Sequence, residues 1–269
     1  MKRQTAIIWV WGLVLIAGAV GGGYAWGRQQ DLTQAYEAGR ALADSQKWEE
    51  VLVLAQPYAE RDDPRINGLL ADAYINGPDS IQDIDKGLIL RRRAAEAGDM
   101  RAAYFMGRWI LKHEPTEARA QEAIGFLQNA ADCGMPSANY DLGVLFADGV
   151  FIDIDIPKSI QHSEAAALAS FESAAWNAAI GYARLAGQDE SFLENESNIK
   201  MLYWFFWEAK NGNPEAQRIL EVIEDRTIDK FNEYGELWIQ EFHRMAVRWV
   251  KKIHPANAFT CNTIYQGAW

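Results

Sequence analysis

Catalytic and metal chemistry need nucleophiles, acids and ligands at set spacings, and this chain supplies few of them. Its histidines are His113, His162, His243 and His254, and its cysteines are Cys133 and Cys261. No CxxC or HExxH gathers them, so no zinc site is expected. Asp153 and Asp155 hint at calcium, but the DxDxDG order of an EF-hand is absent, and turn formation and helix capping account for both. There is no P-loop, no GxGxxG after a strand and no GxSxG. The glutamates and aspartates follow helix faces and caps. No catalytic residue, cofactor or metal is expected, and the chain reads as a non-enzyme.

What remains is binding chemistry. Asn67, Asp72, Arg101, Arg108, Trp109, Asn139, Asp141, Asn177 and Arg184 sit on predicted helices, away from the positions read as packing. Asparagine can bond the backbone of an extended peptide, and arginine can bond its carboxylates. His162 stands at an inward position and reads as a packing histidine, and His113 as an exposed residue after a helix.

A tandem repeat positions these residues. Ile66, Ala102, Ala138 and Ala174 are each 36 residues apart. Four residues on come Leu70, Met106, Leu142 and Ala178, followed directly by the small Ala71, Gly107, Gly143 and Ala179. Eight residues on come Tyr74, Ile110, Phe146 and Tyr182. Offsets zero, four, five and eight share one helical face. A second helix begins near Lys86, Glu122, Lys158 and Lys200, the last step being longer by about six residues around Gln188–Glu196. Its apolar stripe ends at Gly98, Gly134, Ser170 and Gly212, where a C-cap is expected. Pro64, Pro136 and Pro214 suit first-turn positions, and Asp83 and Asp155 suit N-caps.

The pattern resembles the Sel-one-like repeat (SLR) family, relatives of tetratricopeptide arrays, with the consensus A-x-Y-x-L-G-x-x-Y-x-x-G…D-x-x-K-A-x-x-W-Y-x-x-A-A-x-x-G. Repeat three carries the first half through Ala138, Tyr140, Leu142, Gly143, Phe146 and Gly149. Departures are Arg91 for the aromatic of repeat one, His162–Ser163 in repeat three, and Ala179 and Leu185 for glycines in repeat four. The resemblance implies an all-α fold, a right-handed α/α solenoid of helix-turn-helix repeats. It also implies a concave inner face that docks proteins or peptides, which the nine residues above would line. Bacterial relatives often serve signalling, secretion or envelope-assembly complexes.

Around the repeats the expected organisation is a membrane anchor or signal segment over 1–28 and a tetratricopeptide-like cap over 31–64. Four repeats span 65–212, a partial fifth unit with a long capping helix spans 213–254, and a tail spans 255–269. As a helix, Ala6–Trp26 is about 31 Å long, the thickness of a bilayer's hydrocarbon. Trp9, Trp11, Tyr24 and Trp26 lie near its ends, and Lys2 and Arg3 favour a cytoplasmic N-terminus. The body is then expected in the periplasm or outside the cell. Ala17–Gly18–Ala19 offers the alternative of signal cleavage and a secreted product. Gly18 and Gly22, like Gly23 and Gly27, have GxxxG spacing and could mark a homodimer face.

At the other end, Ile228 to about Ile253 reads as an amphipathic helix that caps the array or docks elsewhere. If the body is extracytoplasmic, Cys133 and Cys261 could pair. A net charge of −11 argues against a nucleic-acid partner. The expected function is a membrane-anchored, extracytoplasmic scaffold for protein–protein interaction in an envelope complex. The alternatives are a cell-wall or carbohydrate-acting enzyme, or a secreted host-binding factor.

Overall fold

The computed structural model describes residues 30–171, 173–185 and 196–221. These residues form helices and turns, with no strand among them. The expected membrane helix, most of the Gln188–Glu196 insertion, the Ile228–Ile253 helix and the tail lie outside the described residues. Among the described residues no helix is long and apolar enough to cross a membrane. The chain divides into two compact units, Met1–Asp99 and Met100–Trp269.

The first unit joins the predicted cap to repeat one. Helix α1 covers 30–44 and is followed by α2 (Trp48–Ala55), a 3-10 helix (Gln56–Arg61), α3 (Pro64–Asn76) and α4 (Ile84–Glu96). The second helix stops at Ala55, and Tyr58 lies in the 3-10 segment. Pro57 explains the change, because it has no N–H and its ring clashes with the carbonyl four residues back, so the α-helix cannot run through it. Arg40 of α1 ion-pairs with Asp72 of α3, linking the cap helices to repeat one. Val51, Ala55, Ile66, Leu69, Leu70, Ala71, Ala73 and Ala94 form its core.

Among the described residues the second unit holds three helix pairs, α5 (Met100–His113) with α6 (Glu117–Asp132), α7 (Pro136–Asp148) with α8 (Ile156–Leu168), and α9 (Ala174–Leu185) with α10 (Glu196–Lys210). A short α11 covers 214–221. Helix α6 packs on α7, and α8 on α9, so each pair is covered by the next. Gly107 and Gly143 make the approach within a pair possible. A Cβ on Gly107 would lie 2.8 Å from the Ala123 carbonyl oxygen, and one on Gly143 would lie 2.6 Å from Ser163 Oγ. Cys133, at the end of α6, is held in a disulfide, and Cys261 lies outside the described residues.

Local signals and structure agree at the helix ends. Pro64 and Pro136 stand in first turns. The carboxylates of Asp83 and Asp155 accept the N–H groups of Lys86 and Lys158, each at 3.0 Å. Gly98, Gly134 and Gly212 adopt φ of +91°, +86° and +91°. Ser170 takes the same left-handed position at +60° without a glycine's freedom.

Candidate docking surface

The first-helix residues sort by angle. At about 100° per residue, offsets zero, four, five and eight span an arc that also contains offset one. The residues at offset one, Asn67, Ala103, Asn139 and Ala175, are all buried. Asn67 and Asn139 therefore do not belong to an open binding face, contrary to the sequence reading. Asn67 donates to Asp62 Oδ1 at 2.8 Å. Asn139 donates from Nδ2 to the carbonyls of Ala131 and Met135, and its Oδ1 accepts from His162 Nδ1 at 2.9 Å. His162 is buried and stacks on Phe146, so repeat three fills its aromatic position with a hydrogen-bonded imidazole.

Asp72 and Arg91 answer each other in the first unit. Asp72 is half-buried and meets Arg91 Nη2 at 2.8 Å and Arg40 Nη1 at 3.2 Å. The arginine at the consensus aromatic position is thus matched by a carboxylate on the facing helix, and Asp72 is occupied by internal contacts.

The other six predicted residues fall in the second unit, on the opposite arc of α5, α7 and α9. Arg101 is half-buried, its Nε has no hydrogen-bond partner, and its guanidinium lies 5.9 Å from the Phe105 ring centroid. Trp109 is half-buried and stacks on the exposed His113 at 5.0 Å. Asn177 is half-buried on α9. Arg108 is exposed, and its Nη1 donates to the Tyr104 hydroxyl at 3.0 Å while its Nε lies 3.6 Å from Asp141 Oδ2. Arg184 is exposed and donates from Nη1 to the Ala147 carbonyl at 2.9 Å. The structure therefore places Arg108 beside Asp141 and Arg184 beside the Ala147 carbonyl, at two points on α7.

Electrostatics follow from this packing. Burial pushes the Asp141 carboxyl above its usual range, opposed by Arg108 and Tyr104. Burial and then Asp141 raise the Tyr104 hydroxyl. The Tyr104 hydrogen bond leads in holding the Arg108 guanidinium above its ordinary value, against burial.

A second cluster was not singled out from the sequence. Glu164 of α8 is buried, and its Oε1 accepts from the Tyr182 hydroxyl of α9 at 2.9 Å and from Trp204 Nε1 of α10 at 3.0 Å. Its Oε2 is buried with no hydrogen-bond partner. Burial raises its pKa, opposed by those two donors and by the charge of Lys200. Tyr203 is pushed up to about 12, by burial and then by Glu164. The available sequence signal was a lone carboxylate beside an alanine-rich stripe, with tyrosine and tryptophan in the next repeat. The cluster joins three helices and is a packing device. Among the described residues, no group of three or more His, Cys, Asp and Glu side chains is arranged to hold a metal ion.

No family model and no curated protein matches the sequence. Solved structures do match in fold. A Sel1 repeat protein from Oxalobacter formigenes superposes with a TM-score of 0.55 at 23% identity, over 80% of this chain and 87% of that one. A protective antigen of uropathogenic Escherichia coli, described as displaying an SLR fold, superposes with a TM-score of 0.59 at 17% identity. That match covers 84% of this chain but only 48% of the antigen, so the chain spans about half its length.

Proposed function

From its SLR fold, an all-helical repeat solenoid, we propose that this chain is a membrane-anchored, extracytoplasmic scaffold for protein–protein interaction. A protein or peptide partner docks on the α5–α7–α9 face of the second unit, within an envelope complex serving signalling, secretion or cell-wall assembly. The observation that carries this reading is the state of Arg108 and Arg184. Each is exposed, yet each is held in one direction by internal contacts. A solvated surface arginine gains little from such contacts, whereas a binding arginine gains orientation before its partner arrives. Half-buried Trp109 and Asn177 extend the face, and arginine and tryptophan are typical anchors of interfaces.

The placement outside the cytoplasm rests on the apolar run within 1–28, on Lys2 and Arg3 before it, and on the disulfide at Cys133, a bond favoured in oxidising compartments. A homodimer through the glycine-spaced anchor belongs to the same proposal. Crosslinking in cells followed by purification of the full chain tests the docking role. One stoichiometric protein is expected, and recovery of none across growth conditions rejects the reading. A reporter-enzyme fusion after Gln30 tests topology, and activity confined to the cytoplasm overturns it. Ala17–Gly18–Ala19 supports the second reading, a secreted host-binding factor; a mature chain beginning at Val20 by mass spectrometry would replace the anchor with it.

A further inference from the structure

We propose that the face of α7 between Arg108 and Arg184 receives an extended acidic segment of the partner, with two of its carboxylates seated on the two guanidiniums. This assignment rests on the docking reading above and names the chemistry of the partner.

The two arginines come from the helices on either side of α7. Arg108 of α5 reaches Asp141, and Arg184 of α9 reaches the carbonyl of Ala147. Those anchor points are six residues apart on α7, about 9 Å along the helix axis. Val144 is half-buried between these anchor points, and Ser137 and Tyr140 are half-buried on the N-terminal side of Asp141. In an extended strand, alternate side chains share a side and are about 7 Å apart. Six residues also turn the helix by about 600°, so the anchors lie about 120° apart around α7, and carboxylates two to four residues apart on a segment crossing this face can meet both guanidiniums.

Donor capacity remains at each end. A guanidinium has five N–H donors. Arg108 directs one to Tyr104 and points its Nε toward Asp141, while Arg184 directs one to Ala147. The outward edges of both forks are left for carboxylates, which arginine binds with paired, charge-assisted hydrogen bonds. Holding the two side chains in advance lowers the ordering entropy lost on binding.

Charge points the same way. The chain carries −11 overall, yet this row presents Arg101, Arg108, Lys112 and Arg184 against Asp141 and Asp148. A local excess of cations in an acidic chain favours an acidic segment and repels a basic one. It also makes the contact sensitive to salt.

The test uses the full chain in detergent and a fluorescein-labelled decapeptide of alternating Asp and Val, with the matching Asn–Val peptide as its control. Anisotropy titration at physiological salt should show the Asp peptide binding at least about tenfold tighter than the Asn peptide, and the R108Q/R184Q double variant should remove about that factor. An unchanged melting curve establishes that this variant is folded. Equal binding of the two peptides overturns the proposal, as does full binding by the double variant. Displacement of the Asp peptide by a single-stranded oligonucleotide at equal charge concentration also overturns it in favour of a general polyanion site. The two readings fail differently: if a crosslinked cellular partner is still captured by the double variant, docking stands and the acidic assignment falls; if the native chain captures none, docking itself falls.

Discussion

Two acidic side chains set between helices, Asp72 half-buried and Glu164 buried, are stabilised in different ways in the two units. Asp72 in the first unit stands between two arginines, Arg40 of α1 and Arg91 of α4. Glu164 in the second unit stands between a tyrosine hydroxyl and an indole N–H, with one oxygen unpartnered. The first arrangement links helices by ion pairs. The second raises the carboxyl above its ordinary value, because burial penalises its charge more than the two neutral donors and the charge of Lys200 relieve it. The same repeat scaffold can therefore be tied together by ion pairs or by hydrogen bonds from neutral donors.

The largest effect should come from breaking the ion-paired version. Asp72→Ala leaves the buried Arg91 without that carboxylate and should cost about 3 kcal/mol in denaturant unfolding. A loss near zero would mean that Asp72 is a solvated surface acid after all.

Glu164 should respond to pH instead. Its folded pKa lies above the ordinary 4.5. Between that value and the raised one, the folded chain keeps a proton that the unfolded chain has released, so this residue's contribution falls as pH rises through the window. Glu164→Gln keeps an acceptor for Tyr182 and Trp204 but cannot titrate. Stability measured across pH 4 to 8 should show a weaker decline in the variant than in the native chain. Parallel curves would show that Glu164 carries no such linkage.

A smaller effect separates Ser170 from the glycines at its repeat position. Ser170→Gly should stabilise the second unit by about 0.5–1 kcal/mol, because a left-handed backbone strains a residue with a Cβ. Destabilisation would show that the serine side chain contributes more than its backbone costs. The smallest effect is expected at the docking face. Arg108→Gln with Arg184→Gln should change stability by no more than about 0.5 kcal/mol. A greater loss would assign these residues to the fold and remove them from binding.

The repeat step was legible because offsets zero, four, five and eight carry the packing, and because Pro64, Pro136, Asp83 and Asp155 mark helix starts by local rules. Local rules also locate the left-handed positions at Gly98, Gly134 and Gly212. Asn67 and Asn139 break the rule that polarity signals exposure, because offset one lies inside the buried arc. Arg91 looked like a defect in the consensus until Asp72 was found facing it. Glu164 was hidden for a similar reason: its partners Tyr182 and Trp204 lie in the next repeat, and only packing brings them to it. Of the binding face, the residue types were readable in advance, but the contacts that orient Arg108 and Arg184 required the structure.

The most direct test of the docking account is a photo-crosslinking amino acid placed at Val144 of the full chain in cells, with the exposed Gln121 of α6 as control. The account predicts one discrete protein adduct from Val144 and none from Gln121. No adduct from Val144, or equal adducts from both positions, would contradict it.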